Sequence, residues 1–157
     1  MKSKTDNPGV VIPPPLFYIA AFLLSLLLQK LVPINSAVFH STALEITAIT
    51  IVGISLAFTV PALAQFVKTK NTVVTIRPAN SLQTTGIYSK TRNPMYLALL
   101  LLYTGLALLT GNWWTLILIP LLFLVVTKKI IKPEERYLLR TFGDPYKLYQ
   151  ERVRRWI

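Results

Sequence analysis

The polar residues able to do chemistry lie in two short stretches of an otherwise apolar chain. The first stretch, GIYSKTRNPMY at 86–96, contains the guanidinium of Arg92. The second, EERYLLRTFGDPYKLYQERV at 134–153, begins with the adjacent carboxylates of Glu134 and Glu135. Paired carboxylates can hold a cation, and a guanidinium can bind a carboxylate through two parallel hydrogen bonds. The two stretches together therefore provide the groups that a ligand carrying both charges requires.

Four uncharged apolar segments make up most of the remaining chain and must position these stretches. The first covers residues 10–29 and the second residues 46–67. The third and fourth share the run 93–127, which is too long for one span and contains the turn formers Gly111 and Asn112 near its middle. The second segment, with 22 residues, is long enough to cross a hydrocarbon core of about 30 Å. The shared run predicts a helical hairpin, each arm of which is short, so that full crossing of the membrane by the hairpin is left open.

Composition supports an all-α integral membrane protein of one structural domain. The chain has 157 residues, 53% of them hydrophobic, and its mean hydropathy is +0.52. Pro133, and then Asp144 with Pro145, predict two short helices after the fourth apolar segment. Because the chain has no cysteine and a single histidine, the sequence excludes thiol catalysis and disulfides and predicts no metal site.

The net charge of +11 is distributed as in a membrane protein rather than a nucleic-acid-binding protein. Basic residues lie between long uncharged runs, and they gather at both termini and in the loop between the second and third segments. The positive-inside rule then predicts four spans with both termini, the middle loop and the polar stretches in the cytosol. In a prokaryote the membrane would be the inner one, and the lipid bilayer is the expected partner.

The chain divides by content into two parts. Residues 1–80 form a lead-in and two transmembrane helices without a recognisable catalytic pattern, and they are expected to supply packing and a substrate tunnel. Residues 81–157 contain the hairpin and both polar stretches. We therefore expect 81–157 to be the catalytic half, with the cofactor-binding helices on the cytosolic side.

The two polar stretches and the apolar run between them resemble the isoprenylcysteine carboxyl methyltransferase and phospholipid N-methyltransferase superfamily. That pattern has Arg-His-Pro or Arg-Asn-Pro followed by Tyr, then an adjacent Glu pair, Phe-Gly, spaced tyrosines and Arg-Val. The match covers about half of the chain, from Gly86 to Val153, in the same order and at similar spacing. This chain has Asn93 where many relatives have histidine, so a titrating base is not expected there.

The resemblance implies an integral membrane methyltransferase that uses S-adenosylmethionine. This cofactor has an ammonium, a carboxylate, a sulfonium and a flat adenine, which acids, cations or amides, and aromatic rings can bind. The cofactor-binding residues expected from the resemblance are Gly86, Tyr88, Asn93, Pro94, Tyr96, Glu134, Glu135 and Tyr149. The expected catalytic residues are Arg92, Glu135 and Arg152, and Arg152 matches an arginine that orients a substrate carboxylate in methyl-esterifying relatives.

The acceptor is expected to be lipophilic or amphiphilic, and the resemblance favours O-methylation of an isoprenylcysteine carboxylate. N-methylation of a phospholipid amine and S-methylation of a thiol are alternatives. A non-enzymatic alternative is a small membrane scaffold whose basic tail binds anionic lipids or a partner.

Several residues have a structural interpretation beside the functional one. Tyr146 is expected to be an anchor at the membrane interface, as are Trp113 and Trp114. Gly53 and Gly105 are expected at close helix contacts. The cations expected to face lipid headgroups are Lys128, Lys129, Arg154 and Arg155.

Overall fold

A computed structural model describes residues 8–10, 12–69 and 79–157, and over these residues the chain is helical and has no strand. The helices are α1 Pro14–Leu31, α2 Thr42–Lys68, α3 Pro94–Thr110, α4 Trp113–Ile117, α5 Ile119–Val126, α6 Lys132–Phe142 and α7 Asp144–Arg152. Short 3₁₀ turns lie at Ala37–Phe39 and Gly86–Ser89, and a π turn lies at Thr127–Ile131. The prediction of an all-α protein is confirmed.

In the part of the chain that the structure describes, three helices are long and apolar enough to cross a membrane. They are α1, α2 and the continuous helix Trp113–Phe142, which joins α4, α5, the π turn and α6. Helix α3 is also apolar but has 17 residues. Its length of about 26 Å is slightly less than a hydrocarbon core. The count of four spans therefore stays a prediction.

The turn predicted at Gly111 and Asn112 separates α3 from α4. Gly111 has a φ of 61°, a left-handed conformation that glycine adopts without steric cost. The Asn112 side chain then caps α4, because its Oδ1 accepts a hydrogen bond from the Trp114 amide at 2.9 Å. The chain thus ends one helix and begins the next within two residues.

A new helix predicted to begin at Pro133 is instead the continuation of the fourth apolar segment. The chain passes from Trp113 to Phe142 without leaving the helix. Proline removes one hydrogen bond donor and crowds the preceding turn. The π turn at Thr127–Ile131 directly precedes α6 and absorbs this irregularity. Pro133 therefore lies in the first turn of α6, as predicted, but no loop separates α6 from the fourth segment.

Helices α2 and α3 pack closely along their length. A Cβ on Gly105 would lie 2.6 Å from Val52 Cγ2 and 3.2 Å from the Ala48 carbonyl oxygen, so only glycine fits at this crossing. The Ser55 hydroxyl donates to the Ala98 carbonyl at 2.9 Å across the same contact. Gly105 therefore confirms the predicted close contact, whereas Gly53 has no neighbour within 4 Å of such a Cβ.

A group of polar residues, which we call the Asn112 cluster, ties α1 to the α3–α4 turn. It consists of Ser25, Asn112, Trp113, Trp114 and Thr115. The Ser25 and Thr115 hydroxyls are 2.7 Å apart, and Asn112 Nδ2 donates to the Ser25 carbonyl at 3.1 Å. The indole nitrogens of Trp113 and Trp114 donate to backbone carbonyls that follow α1, at 3.0 and 2.8 Å. The cluster fixes this end of the helices.

Part of the predicted lead-in, residues 1–7 and 11, and part of the middle loop, residues 70–78, lie outside the described residues. Within the lead-in, Pro8 and Val10 are buried. Val10 joins the apolar core around Tyr18 and Val126.

Candidate functional site

A cavity lies at the other end of the helices, lined by residues from the start of α3 and from α6 and α7. The cavity has a volume of about 190 Å³, so it admits a ligand much larger than water. Eight of the ten predicted site residues line it: Tyr88, Arg92, Asn93, Pro94, Tyr96, Glu134, Glu135 and Tyr149. Residues from both polar stretches therefore meet at one cavity.

Two predicted site residues, Gly86 and Arg152, do not line this cavity. Gly86 is exposed and begins a 3₁₀ turn with a φ of 63°, which places Tyr88 at the cavity. Arg152 is exposed on α7, and its Nε donates to the Leu148 carbonyl one turn earlier at 3.2 Å. The guanidinium that lines the cavity belongs to Arg92, whose side chain is 11% exposed.

The Glu135 carboxylate is held by two arginines. Arg155 Nε donates to Oε1 at 2.9 Å and Nη2 to Oε2 at 2.7 Å, a bidentate arrangement. Arg92 Nη1 lies 3.1 Å from Oε1. The hydrogen bonds to Glu135 raise the pKa of Arg155 above its usual value. Glu135 thus links the first polar stretch to the C-terminal residues and has its charge compensated within the protein.

The start of α3 holds the C-terminal residues in place. Asn93 Nδ2 and the Thr91 hydroxyl both donate to the Arg155 carbonyl, at 2.9 and 3.2 Å, and the Arg92 amide donates to the Arg154 carbonyl at 3.0 Å. These bonds fix the backbone from which the Arg155 side chain reaches Glu135. Asn93 therefore has a positioning role in addition to its place in the cavity lining.

Glu134 differs from its neighbour because it has no cationic partner. Its Oε2 accepts a hydrogen bond from the Tyr96 hydroxyl at 2.6 Å. Among residues 8–10, 12–69 and 79–157, no ion pair joins Glu134 to a lysine or arginine. A carboxylate in a cavity without a compensating charge favours a bound cation.

Arg92 has hydrogen-bonding capacity that the described protein does not use. Its Nε and Nη1 are buried and have no hydrogen-bond partner among the described residues, although Nη1 lies in ion-pair range of Glu135. Buried donors are normally satisfied, so such atoms at a cavity indicate a missing acceptor. The carboxylate of Glu134 and the incompletely bonded guanidinium of Arg92 fit the ammonium and the carboxylate of S-adenosylmethionine, respectively.

Aromatic rings form much of the cavity wall. Tyr149 and Tyr146 have ring centroids 6.1 Å apart, and Phe66 lies edge to face with Tyr88 at 5.9 Å. The Tyr149 hydroxyl donates to the Tyr88 carbonyl at 2.6 Å, which joins α7 to the first polar stretch. Tyr137 also lines the wall and is 2% exposed. These faces suit a flat heteroaromatic ring.

The interpretation of Tyr146 as an interface anchor was wrong. Its side chain is 1% exposed and lines the cavity. Burial raises the pKa of Tyr146 to about 12, and the charge of Glu135 adds to this effect while Arg92 opposes it. Arg155, which was expected among the headgroup-facing cations, binds Glu135 with a side chain that remains 36% exposed.

Sequence reasoning missed the apolar part of the cavity. Pro14 and Pro15 at the start of α1, Phe66 near the end of α2, and Met95 and Leu99 on α3 all line it. Apart from Met95, which lies in the first polar stretch, no motif marks these residues, because they are ordinary members of apolar segments. Three of them, Pro14, Pro15 and Phe66, come from the first half of the chain, so both halves line the cavity.

Comparison with known proteins identifies the family. Residues 43–145 match the phospholipid methyltransferase family. Over 63 residues the chain is 40% identical to an uncharacterized protein of Haemophilus influenzae, covering 40% of this chain and all of that protein.

Over 72 residues the chain is 35% identical to the protein-S-isoprenylcysteine O-methyltransferase of Schizosaccharomyces pombe, covering 46% of this chain and 30% of the yeast protein. No solved structure matches. Since the family match covers well over half of the sequence, the chain belongs to the phospholipid methyltransferase family.

Proposed function

We propose that this protein transfers a methyl group from S-adenosylmethionine to a lipophilic or amphiphilic acceptor at the cavity between α3, α6 and α7. One observation carries the proposal. Eight residues expected to serve the cofactor or the reaction come from two stretches far apart in sequence, and all eight line that cavity. Membership of a methyltransferase family supports the same reaction class.

The charged residues of the cavity support one orientation of the cofactor's amino acid portion, which carries an ammonium and a carboxylate. Glu134 would bind the ammonium, because it lacks a cationic partner in the described chain, whereas Glu135 already binds Arg155 and Arg92. Arg92 would bind the carboxylate through its unused donors. The tyrosine-lined wall would hold the adenine. When bound, S-adenosylmethionine supplies a methyl group activated by the sulfonium.

The acceptor would meet this polar region from the apolar side of the cavity. Pro15, Met95 and Leu99 line that side and can contact a hydrocarbon tail. The acceptor atom forms a bond to the methyl carbon while the carbon–sulfur bond breaks and leaves its electron pair on sulfur. The protein contributes alignment and exclusion of water rather than a covalent intermediate.

We favour the carboxylate of an isoprenylated cysteine as the acceptor, in line with the activity for which the yeast relative is named. A carboxylate attacks without losing a proton. A phospholipid amine or a thiol, the alternatives, must lose one, and a general base within reach of the acceptor would have to accept it. Dependence of the reaction on such a base distinguishes the acceptors.

The same proposal includes the arrangement in the membrane. Four spans, with α3 and α4–α5 as a hairpin, would place both termini and the cavity at the cytosolic face of the membrane. The Asn112 cluster would then lie at the other face. The charge distribution supports it, since nine basic residues follow Thr127 and Lys30 is the only lysine or arginine in the two connections on the other side.

Binding of labelled S-adenosylmethionine to the full chain in detergent tests the proposal. We expect saturable binding that Glu134→Gln weakens by roughly ten- to a hundredfold, as loss of a charge-assisted hydrogen bond predicts. Glu45→Gln, which removes an exposed carboxylate at the start of α2, is the matched control and should leave the affinity unchanged. Absence of saturable binding in the wild type would refute the proposal and favour the scaffold alternative.

Incubation of the same protein with labelled cofactor, a prenylcysteine and phosphatidylethanolamine identifies the acceptor. We expect label in a base-labile methyl ester. Label in the phospholipid amine would overturn the favoured acceptor while leaving the cofactor assignment in place.

A further inference from the structure

A surface groove lies beside the cavity, and the Glu135 side chain lines both. Four basic side chains line the groove: Lys128, Lys132, Arg136 and Arg155. Gln150 adds an amide to the lining. The groove has a volume of about 500 Å³. This space is large enough for a phosphate group with its ester substituents.

The groove carries more positive charge than its own acid can compensate. Glu135, the carboxylate that lines it, already binds Arg155 through two hydrogen bonds and lies next to Arg92. In the part of the chain that the structure describes, Lys128, Lys132 and Arg136 form no ion pair. Like charges one helical turn apart repel each other, so an anion bound between them would be stabilising.

The position of the groove along the helix indicates where that anion comes from. Lys128 directly follows the apolar run that ends at Thr127, which places it where hydrocarbon gives way to headgroups. On the same helix Ile117, Leu121 and Leu124 are 51%, 56% and 51% exposed. Their spacing puts them on one face, and Lys128 continues that face one turn later. An exposed apolar strip therefore leads directly into a basic groove.

We propose that this groove binds the headgroup phosphate of an anionic phospholipid, whose acyl chain lies along the strip formed by Ile117, Leu121 and Leu124. The strip is the reason to assign a lipid rather than free phosphate. The site is separate from the apolar side of the cavity and does not depend on methyl transfer. Because Arg155 lines the groove and holds Glu135, the bound phosphate would add a further acceptor to the network behind the cavity.

Native mass spectrometry of the full chain, released from mixed micelles of phosphatidylglycerol and phosphatidylcholine, measures the lipid that stays bound. We expect phosphatidylglycerol to be retained in preference to phosphatidylcholine. The triple variant Lys128→Gln, Lys132→Gln, Arg136→Gln should weaken that retention by at least roughly tenfold, since each cation contributes to attraction at the headgroup. Inorganic phosphate, added at the concentration of the lipid, should not displace it.

The matched control is Lys90→Gln, Lys129→Gln, Arg154→Gln, which removes the same charge from exposed residues outside the groove and should retain the lipid. A charge-preserving variant, Lys128→Arg, Lys132→Arg, Arg136→Lys, should retain it too and keeps the test valid if the glutamine variant misfolds. Equal loss in the glutamine variant and its control would overturn the proposal, because a diffuse surface charge would then suffice. Displacement by inorganic phosphate would overturn the assignment to lipid.

Discussion

The Asn112 cluster and the cavity contain buried polar groups at opposite ends of the same helices, but the two regions satisfy them differently. In the Asn112 cluster the groups are neutral and bond to one another or to backbone carbonyls, as Ser25 and Thr115 do at 2.7 Å. At the cavity the groups are charged, and the described residues leave Arg92 Nε and Nη1 without a hydrogen-bond acceptor. One region is complete in itself, and the other is not.

The difference separates stability from function. A fully bonded neutral network stabilises the fold and gains nothing from a ligand. An incompletely bonded charged network costs free energy on folding and recovers it when a complementary ligand binds. Substitutions in the Asn112 cluster should therefore change stability, and substitutions at the cavity should change binding.

Replacement of Arg92 should have the largest effect. Arg92→Gln removes the cation that faces Glu135 and the donors proposed for the cofactor carboxylate. Removing one partner of a buried, hydrogen-bonded charge pair between protein and ligand costs about 2–5 kcal/mol of binding free energy, so we expect binding of S-adenosylmethionine to weaken by roughly a hundredfold or more. Isothermal titration calorimetry of the protein in detergent measures the change.

Arg152→Gln is the control for this prediction. Its guanidinium is exposed and bonds within its own helix, so cofactor affinity should change less than about twofold, as expected for a surface side chain. The two arginines also test the resemblance, which assigns a catalytic role to Arg152. If Arg152→Gln abolished methyl transfer while Arg92→Gln retained it, the assignment of the cavity guanidinium would be wrong.

Replacement of Asn112 should lower stability and leave cofactor affinity unchanged, whereas replacement of Arg92 should lower cofactor affinity. Asn112→Ala removes the cap of α4 and the hydrogen bond to the Ser25 carbonyl. A lost cap costs about 1 kcal/mol and a lost hydrogen bond about 0.5–1.5 kcal/mol, so we expect the free energy of unfolding to fall by about 1.5–2.5 kcal/mol. Thermal unfolding in detergent measures this, with unchanged cofactor affinity in the protein below its melting temperature.

Thr110→Ala, two residues earlier, is the matched control because its exposed hydroxyl bonds to carbonyls of its own helix. It should change stability by less than about 0.5 kcal/mol. A weaker cofactor affinity in Asn112→Ala would contradict the separation of the two regions.

The sequence predicted those parts of the structure that local chemistry decides. Gly111 and Asn112 end one helix and cap the next because of their own backbone and side-chain preferences. Glu134 and Glu135 stand out because adjacent carboxylates beside an apolar run need partners. These signals require no knowledge of the fold.

Local chemistry could not reveal contacts between distant elements. Arg155 is one of nine basic residues after Thr127, and only the bonds from Thr91 and Asn93 to its carbonyl select it as the partner of Glu135. Tyr146 is a residue type common at membrane interfaces, and its burial depends on how α7 packs against α6 and Leu82. Helices that are apolar on every side also conceal which face meets a neighbour.

Substitutions at the α2–α3 contact, which lies between the two regions, should change the free energy of unfolding least. They test directly which face of an apolar helix meets a neighbouring helix. Gly105→Ala would push a methyl group to 2.6 Å from Val52 Cγ2 and 3.2 Å from the Ala48 carbonyl. Overpacking costs about 1–3 kcal/mol, and alanine regains about 0.5–1 kcal/mol inside a helix, so we expect a net loss of about 1–2 kcal/mol.

Gly53→Ala is the matched substitution on the partner helix. Because nothing lies within 4 Å of the added Cβ, only the gain in helix propensity remains, and stability should rise by up to about 1 kcal/mol. Thermal unfolding of the two variants should therefore shift in opposite directions. Since neither residue contacts the cavity, cofactor affinity should be unchanged in Gly53→Ala. A fall in affinity in Gly105→Ala would show that this helix contact also sets the geometry of the cavity.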